Sequence, residues 1–494
     1  MELWYWHHSY LTTEQAVAES KALIDRAARS GYTGLALWDS SWTFLSMPGW
    51  PQENVNRLKE VVTYALARGL RVMPLVAPYG HSNDVLKQHP DWAEGQRVIG
   101  TRFRVDPSGR KLIQMKSLLE VEPWRQYHVH LAVKTQGFQG LAQLEVSDGR
   151  ASRLDANLHP APDQASTPLD YTFNSAASRT VQIRAGVFGR AEGKLEITGF
   201  SVEETALVYV IRRAGTPLRV YDPDRPETNY VEGRDFDPVH DRRLTAHGEF
   251  TNDNFHDPGP VTIPAGSRLL PGQIVAMDYY AVVPVYDEAV SVCLTDAAVE
   301  RWTVENARAI AAFVPKGSPF LLSHDEIRQM NSCAECRARR LTAGELLAEH
   351  TRRIVNKLKA LGPLYIWSDM FDPGHNARDH FYQVEGTMAQ SWKGLPAEVT
   401  VMNWNLEHLR NSLVWFSGDD PRQRVPHKQI IAGYYDPPDH DAGAAVHKEW
   451  GQARGVRGIA GTMYTTWTND YRGLERFAEA AREEWARYQA SRPW

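Results

Sequence analysis

Asp325 and Glu326 stand side by side after a short apolar run, in Ser-Pro-Phe-Leu-Leu-Ser-His-Asp-Glu-Ile-Arg at residues 318–328. Two carboxylates sharing a site can divide proton transfer and charge stabilisation between them when their environments push their pKa values apart. Neighbours on a regular strand point to opposite faces, so both can reach one site only if the strand has ended at His324. Such an ending belongs to the mouth of an α/β barrel, where the side chains that do chemistry sit on the carboxyl ends of the strands. Asp and Glu supply 60 of the 494 residues, and pairs such as Asp419-Asp420 arise by chance as solvated loop charges. The residues at the other strand ends help to separate the two cases.

Those ends read Trp38-Asp39, Pro78-Tyr79-Gly80-His81, Trp367-Ser368-Asp369, Asn403-Trp404-Asn405, Tyr434-Tyr435-Asp436 and Trp467-Thr468-Asn469. Indole faces can stack on sugar rings, and carboxylates and amides can bind sugar hydroxyls. The chain holds 16 Trp and 20 Tyr, a load that suits a carbohydrate ligand and also suits a large core. Candidate ligand-binding residues are His324, Trp38, Trp367, Asp369, Trp404, Asp436 and Trp467, with Trp392, in Gln-Ser-Trp-Lys-Gly, a further wall. For any single Trp, packing at the barrel rim is an equally good reading.

The elements that must position these residues alternate between strand and helix. Residues 3–6, 33–37 and 70–77 read as strands, with helices over about 12–27 and 54–67 between them; Thr12 with Gln15 predicts a capping box. From about residue 94 the helical rhythm stops, and short alternating runs at 127–133, 141–146, 181–187, 195–197 and 206–211 suggest a β-sandwich. Gly, Pro, Asp and Asn are dense over 221–273, as in long loops. Residues 274–283 form a return strand, and the alternation then resumes. A helix is predicted over 303–313, strands at 320–323, 364–367, 399–404, 429–435 and 458–464, a helix opened by Thr342 with Glu345, and a closing helix over 474–488. The fold class is α/β, a (β/α)8 TIM barrel interrupted by an inserted all-β sandwich. Residues 1–95 begin the barrel, 96–272 form the insertion, and 273–494 complete the catalytic barrel.

Composition narrows the function classes. A formal charge of −5 gives no basic patch for nucleic acid, and no run of about 18 apolar residues predicts a membrane span. The first residues enter a strand pattern without a secretory signal, so a cytoplasmic location is the default expectation. Three Cys are too few for a disulfide scaffold of this size. Cys333-x-x-Cys336 has metal-ligand spacing, but a structural zinc site needs four ligands, and His324 or His350 would complete one only by a coincidence of fold. Two loop thiols, with no metal and no cofactor, are expected. The expected partner is a carbohydrate, and whether the chain forms a homo-oligomer is open.

The acidic pair after the fourth strand, Trp367 after the fifth, Tyr434-x-Asp436 after the seventh and Trp467 after the eighth resemble glycoside hydrolase family 20, the β-N-acetylhexosaminidases. The resemblance implies exo-acting, retaining release of terminal β-linked N-acetylglucosamine or N-acetylgalactosamine without a protein nucleophile, because the sugar's 2-acetamido oxygen attacks its own anomeric carbon. Carried over by position, Glu326 is the general acid and then the base, with a raised pKa, while Asp325 orients the acetamido N–H and stabilises the positive intermediate. Tyr434 donates to the acetamido carbonyl, Asp436 binds a sugar hydroxyl, and Trp367, Trp404 and Trp467 wall the pocket. The chain departs from the family where Tyr5-Trp6-His7-His8 ends the first strand in place of an Arg, and where no Gly-Gly precedes the pair. The insertion resembles a carbohydrate-binding module, and a purely structural role fits it equally well. Two other readings stay open. One is a β-galactosidase-like retaining enzyme on a neutral sugar, for which Asp436 is the only late-strand carboxylate; the other is a carbohydrate-binding protein without catalysis.

Overall fold

The computed structural model describes residues 1–116, 121–241, 243–244, 255–287, 289–436 and 441–490. Eight parallel strands close a barrel in chain order: β1 (Glu2–Ser9), β2 (Gly34–Asp39), β3 (Arg71–Val76), β4 (Phe320–Leu322), β5 (Leu364–Trp367), β6 (Thr400–Asn403), β7 (Gln429–Tyr434) and β8 (Ile459–Thr465). β8 pairs back onto β1, so no edge is left exposed. The chain is an α/β protein built on a (β/α)8 barrel, and each of the eight expected barrel strands is present.

The strands are apolar runs because both of their faces are buried. Trp4, Met73, Leu321, Tyr365, Met402, Ile430 and Met463 fill the interior, while Leu3, Tyr5, Leu35 and Leu37 pack outward in a separate cluster with the helices. Gly34 lacks a side chain because the Trp4 ring occupies the place a Cβ would take.

The outer layer contains α1 (Glu14–Arg29), α2 (Gln52–Ala67), α3 (Ala297–Ala311), α4 (Ala343–Leu358), α5 (Leu409–Phe416), α6 (Ala442–Ala453) and α7 (Leu474–Ala490). The crossover after β5 uses short 3-10 turns at Asp369–Phe371 and Ser391–Gly394 instead. The capping box that opens α4 forms as the sequence predicts. The one predicted for α1 does not, because Thr13 is the cap and Gln15 turns along the helix to donate to Glu19.

Between β3 and α3 the chain builds two antiparallel sheets with separate apolar clusters. The six-stranded sheet includes Gln96–Val105 paired with the return strand Ile274–Ala281, so it continues past residue 272. The four-stranded sheet centres on Gln126–Ser147, which takes up two of the expected short strands, and on its long partner Gln182–Thr205. These strands run on through irregular register near Gly137 and Gly140, where the sequence suggested separate strands. The run at 206–211 is not a strand: Leu207 and Tyr209 have φ of 62° and 55°, and their N–H groups donate to the Tyr279 hydroxyl and to Asp241. Residues 245–254, part of the stretch read as loops, lie outside the described residues.

The reciprocal cap of α4 gives a direct stability test. Thr342→Ala should lower the unfolding free energy by about 1 kcal/mol in urea denaturation, without a change in the slope of the transition.

Candidate active site

The strand ends open into one cavity of about 500 Å³ lined by Trp6, His8, Trp38, Leu75, Pro78, His81, Tyr286, Ser323, Asp325, Glu326, Trp367, Trp404 and Trp467. Five indoles and two carboxylates therefore share a pocket at the carboxyl ends of the strands. β4 has ended at Leu322, and Glu326 adopts a left-handed φ of 47° that turns its side chain to the cavity beside that of Asp325. Two neighbours fit this turn closely. The Glu326 N–H donates to Asp369 Oδ2 at 2.8 Å, and Gly80 lies so near the Asp325 and Glu326 carbonyl groups that a Cβ there would collide with them.

The electrostatics differ from the expected pattern. Burial favours the neutral form of Glu326, but Arg328 at 2.6 Å and His81 at 3.3 Å outweigh it and bring its pKa down to about 2. The raised pKa expected for Glu326 is thus reversed, because a buried guanidinium only two residues along the chain pairs with it. Asp325 shifts the other way: burial raises its pKa and the Glu326 charge adds to this, against opposing help from His81 and Ser323. Asp369 is fully buried, and burial followed by the Asp325 charge raises its pKa to about 7.

Arg328 is itself enclosed, with the Tyr286 ring 4.2 Å and the Tyr382 ring 5.3 Å from its guanidinium carbon. Tyr286 follows the return strand of the insertion. Arg153 of the four-stranded sheet donates to the Tyr382 carbonyl and accepts at its own carbonyl from Gln383. The insertion thus helps to wall the cavity through Tyr286 and braces the loop after β5 that carries Tyr382.

Of the residues singled out by sequence, Trp38, Trp367, Trp404 and Trp467 line the cavity with the acidic pair. Asp369 supports from beneath, accepting from Glu326 N–H, Asn376 and the Trp404 indole. Asp436 stands outside the lining: it accepts from the Thr466 hydroxyl and from the N–H groups of Trp467 and Thr468, and so fixes the β8 loop. Tyr434 lies beside Asp436, and burial with that charge raises its pKa; it is not on the cavity wall either. His324 is corrected from a ligand-binding candidate to a core residue, fully buried between Tyr79, His350 and Phe371, with burial holding its pKa down near 3. Trp392 likewise packs edge-on against Trp415 rather than on a ligand. Cys333 and Cys336 are buried outside the lining.

His8, His81, Trp6, Tyr286 and Arg328 were not chosen as site residues from the sequence. For Arg328 a signal was present, since the acidic pair and the cation share one short loop. His8 lies near the end of β1, in the Tyr5-Trp6-His7-His8 run that stands in place of an Arg. Its ring packs on Trp38, and burial followed by the His7 and His81 charges lowers its pKa to about 3. It therefore stands on the cavity wall as a neutral imidazole.

No family model matches the chain, and no curated protein matches it. Among solved structures it is similar to a glycoside hydrolase family 20 β-N-acetylglucosaminidase, at 12% identity and a TM-score of 0.38, covering 97% of this chain and 68% of that one. A β-N-acetylhexosaminidase is similar at 12% identity and a TM-score of 0.41, covering 99% and 74%. The Streptomyces plicatus N-acetyl-β-hexosaminidase in complex with Thio-NAglucal matches at 12% and 0.38, covering 97% of this chain and 62% of that chain. The closed barrel itself, and not these distant likenesses, establishes the fold.

The raised pKa of Asp369 has a measurable consequence. Such a carboxyl binds its proton more tightly when folded, so its contribution is favourable near pH 4 and is lost as pH rises toward 7. Between those limits wild type should lose stability relative to Asp369→Asn, on the order of 1–3 kcal/mol, as read by urea unfolding. A difference that does not change with pH would show that Asp369 titrates normally.

Proposed function

We propose that the chain is a glycoside hydrolase that releases terminal β-linked N-acetylhexosamine, with the substrate's acetamido group as nucleophile. The observation that carries this reading is the placement of Asp325 and Glu326, adjacent in sequence and the only carboxylates on the wall of a Trp-lined cavity at the barrel mouth, among the described residues. A retaining enzyme with its own nucleophile needs two carboxyl groups flanking the bond, about 5 Å apart. Asp436, the candidate for that part, is occupied by the β8 loop and does not line the cavity. An adjacent pair suits the alternative in which the sugar supplies the nucleophile.

In this reading Asp325 accepts the acetamido N–H and balances the positive charge of the cyclic intermediate. Glu326 protonates the leaving oxygen and then activates water. The resting site holds Glu326 ionised against Arg328 and His81, which suits the base half of the cycle. The acid half requires the bound sugar to shield it from them. In the same reading His8 and His81, on the cavity wall, hold sugar hydroxyls, and the indoles stack on the ring.

A nitrophenyl β-N-acetylhexosaminide should be hydrolysed, a thiazoline analogue of the cyclic intermediate should inhibit, and Glu326→Ala should lower kcat by about 10²–10⁴-fold. Equal or greater activity on the unsubstituted hexoside without thiazoline inhibition would overturn the acetamido mechanism, and full activity in Glu326→Ala would overturn the site.

A further inference from the structure

Outside the cavity, three thiols and a carboxylate meet in the interior. The sulfurs of Cys293, Cys333 and Cys336 lie 3.4, 3.5 and 3.2 Å apart in their three pairings. Glu94 Oε2 is 3.6 Å from both Cys333 and Cys336 Sγ. All four residues are buried. They come from three separate stretches: Glu94 just ahead of the insertion, Cys293 just after it, and Cys333-x-x-Cys336, which opens a short helix (Ala334–Ala338) after the acidic pair. The completing ligands considered from sequence, His324 and His350, do not belong to this cluster, whose third and fourth donors are Cys293 and Glu94.

The carboxylate is aimed. Glu94 Oε1 accepts from Ser332 N–H at 2.7 Å, Ser332 Oγ at 2.9 Å and Cys333 N–H at 2.9 Å, which leaves Oε2 directed at the sulfurs. Hydrogen bonds that orient a ligand in this way are the usual outer support of a metal site. Burial with Oε2 against two thiols leaves the Glu94 carboxylate in a setting that a cation would relieve. Arg213 donates to the Asp91 and Ala93 carbonyls and places Nη2 3.4 Å from Cys333 Sγ. The Thr295 hydroxyl lies 3.1 Å from both Cys293 and Cys336 Sγ. Both are suited to the excess negative charge of three thiolates and a carboxylate around a divalent ion.

We infer that Glu94, Cys293, Cys333 and Cys336 form a four-coordinate zinc site. Thiolate-rich donors select zinc over magnesium or calcium, and four protein ligands with no open position make the site structural. Bonds of about 2.3 Å at tetrahedral angles place sulfurs about 3.8 Å apart, so the cluster needs to open by only a few tenths of an ångström. The ion would tie both ends of the insertion to the loop that carries Asp325 and Glu326. Glu335 is the competing carboxylate, 3.2 Å from Cys293 Sγ, but it is partly exposed and paired with Arg213.

Protein purified without chelator from zinc-supplemented cells should contain about one zinc per chain by elemental mass spectrometry, released when a mercurial titrates the thiols. Cobalt(II) added to the stripped protein should give sulfur-to-cobalt charge transfer and the intense visible bands of a tetrahedral site. Glu94→Gln should weaken cobalt binding at least about tenfold, whereas Glu335→Gln should not. Cys293→Ser should lose the metal and melt at lower temperature; if it fails to fold, the wild-type zinc content and cobalt spectrum still decide. Metal-free protein that gives no thiolate–cobalt band, or a Cys333–Cys336 disulfide in protein purified under reducing conditions, would overturn the site. None of these readouts uses hydrolase activity, so the outcome is separate from the proposed reaction.

Discussion

Glu326 sits at a φ of 47°, a conformation that costs a non-glycine residue on the order of 1 kcal/mol, and the use of two adjacent carboxylates in one cavity depends on it. In an extended chain these side chains would face opposite ways. The turn is held by the hydrogen bond from Glu326 N–H to Asp369 and by the close fit of Gly80 against the carbonyls of the pair. Asp369 in turn receives the Trp404 indole and Asn376, so the loops after β5 and β6 are registered on the same carboxylate as the acidic pair.

Charge is distributed unevenly over this frame. Three carboxyl groups crowd together, and the basic side chains beside them, Arg328 and His81, both lie nearest to Glu326. Asp325 and Asp369, more deeply buried and facing like charge, shift toward their neutral forms. The imbalance rests partly on the insertion, which lays Tyr286 against Arg328 and braces the loop of Tyr382. The added β segment thereby reaches the acidic pair at the barrel mouth.

The barrel was legible because buried strands appear as apolar runs punctuated by helices and turn residues, and the ends of those runs named Asp325, Glu326 and the four indoles that line the cavity. Features that depend on approach across the chain were less legible. His324 looks like a continuation of the site but points into the core, and Trp392 packs on Trp415. Asp436 is drawn away by three donors of the β8 loop, which no local pattern announces. The lowered pKa of Glu326 is not legible even with Arg328 two residues away, since sequence alone does not say which of two neighbouring carboxylates a guanidinium will pair with. Cys293 and Glu94 carry no motif at all and meet Cys333 and Cys336 only through the fold.

The dependence of the acidic pair on its turn is tested most directly at Gly80, where a Cβ would come within 2.2 Å of the Asp325 carbonyl oxygen and 2.8 Å of the Glu326 one. The measurement is kcat/KM of Gly80→Ala on a nitrophenyl β-N-acetylhexosaminide, together with its melting temperature. A fall of at least about tenfold in a folded protein is predicted, since small misplacements of reacting groups are costly. Wild-type kcat/KM in Gly80→Ala with an unchanged melting temperature would contradict the account.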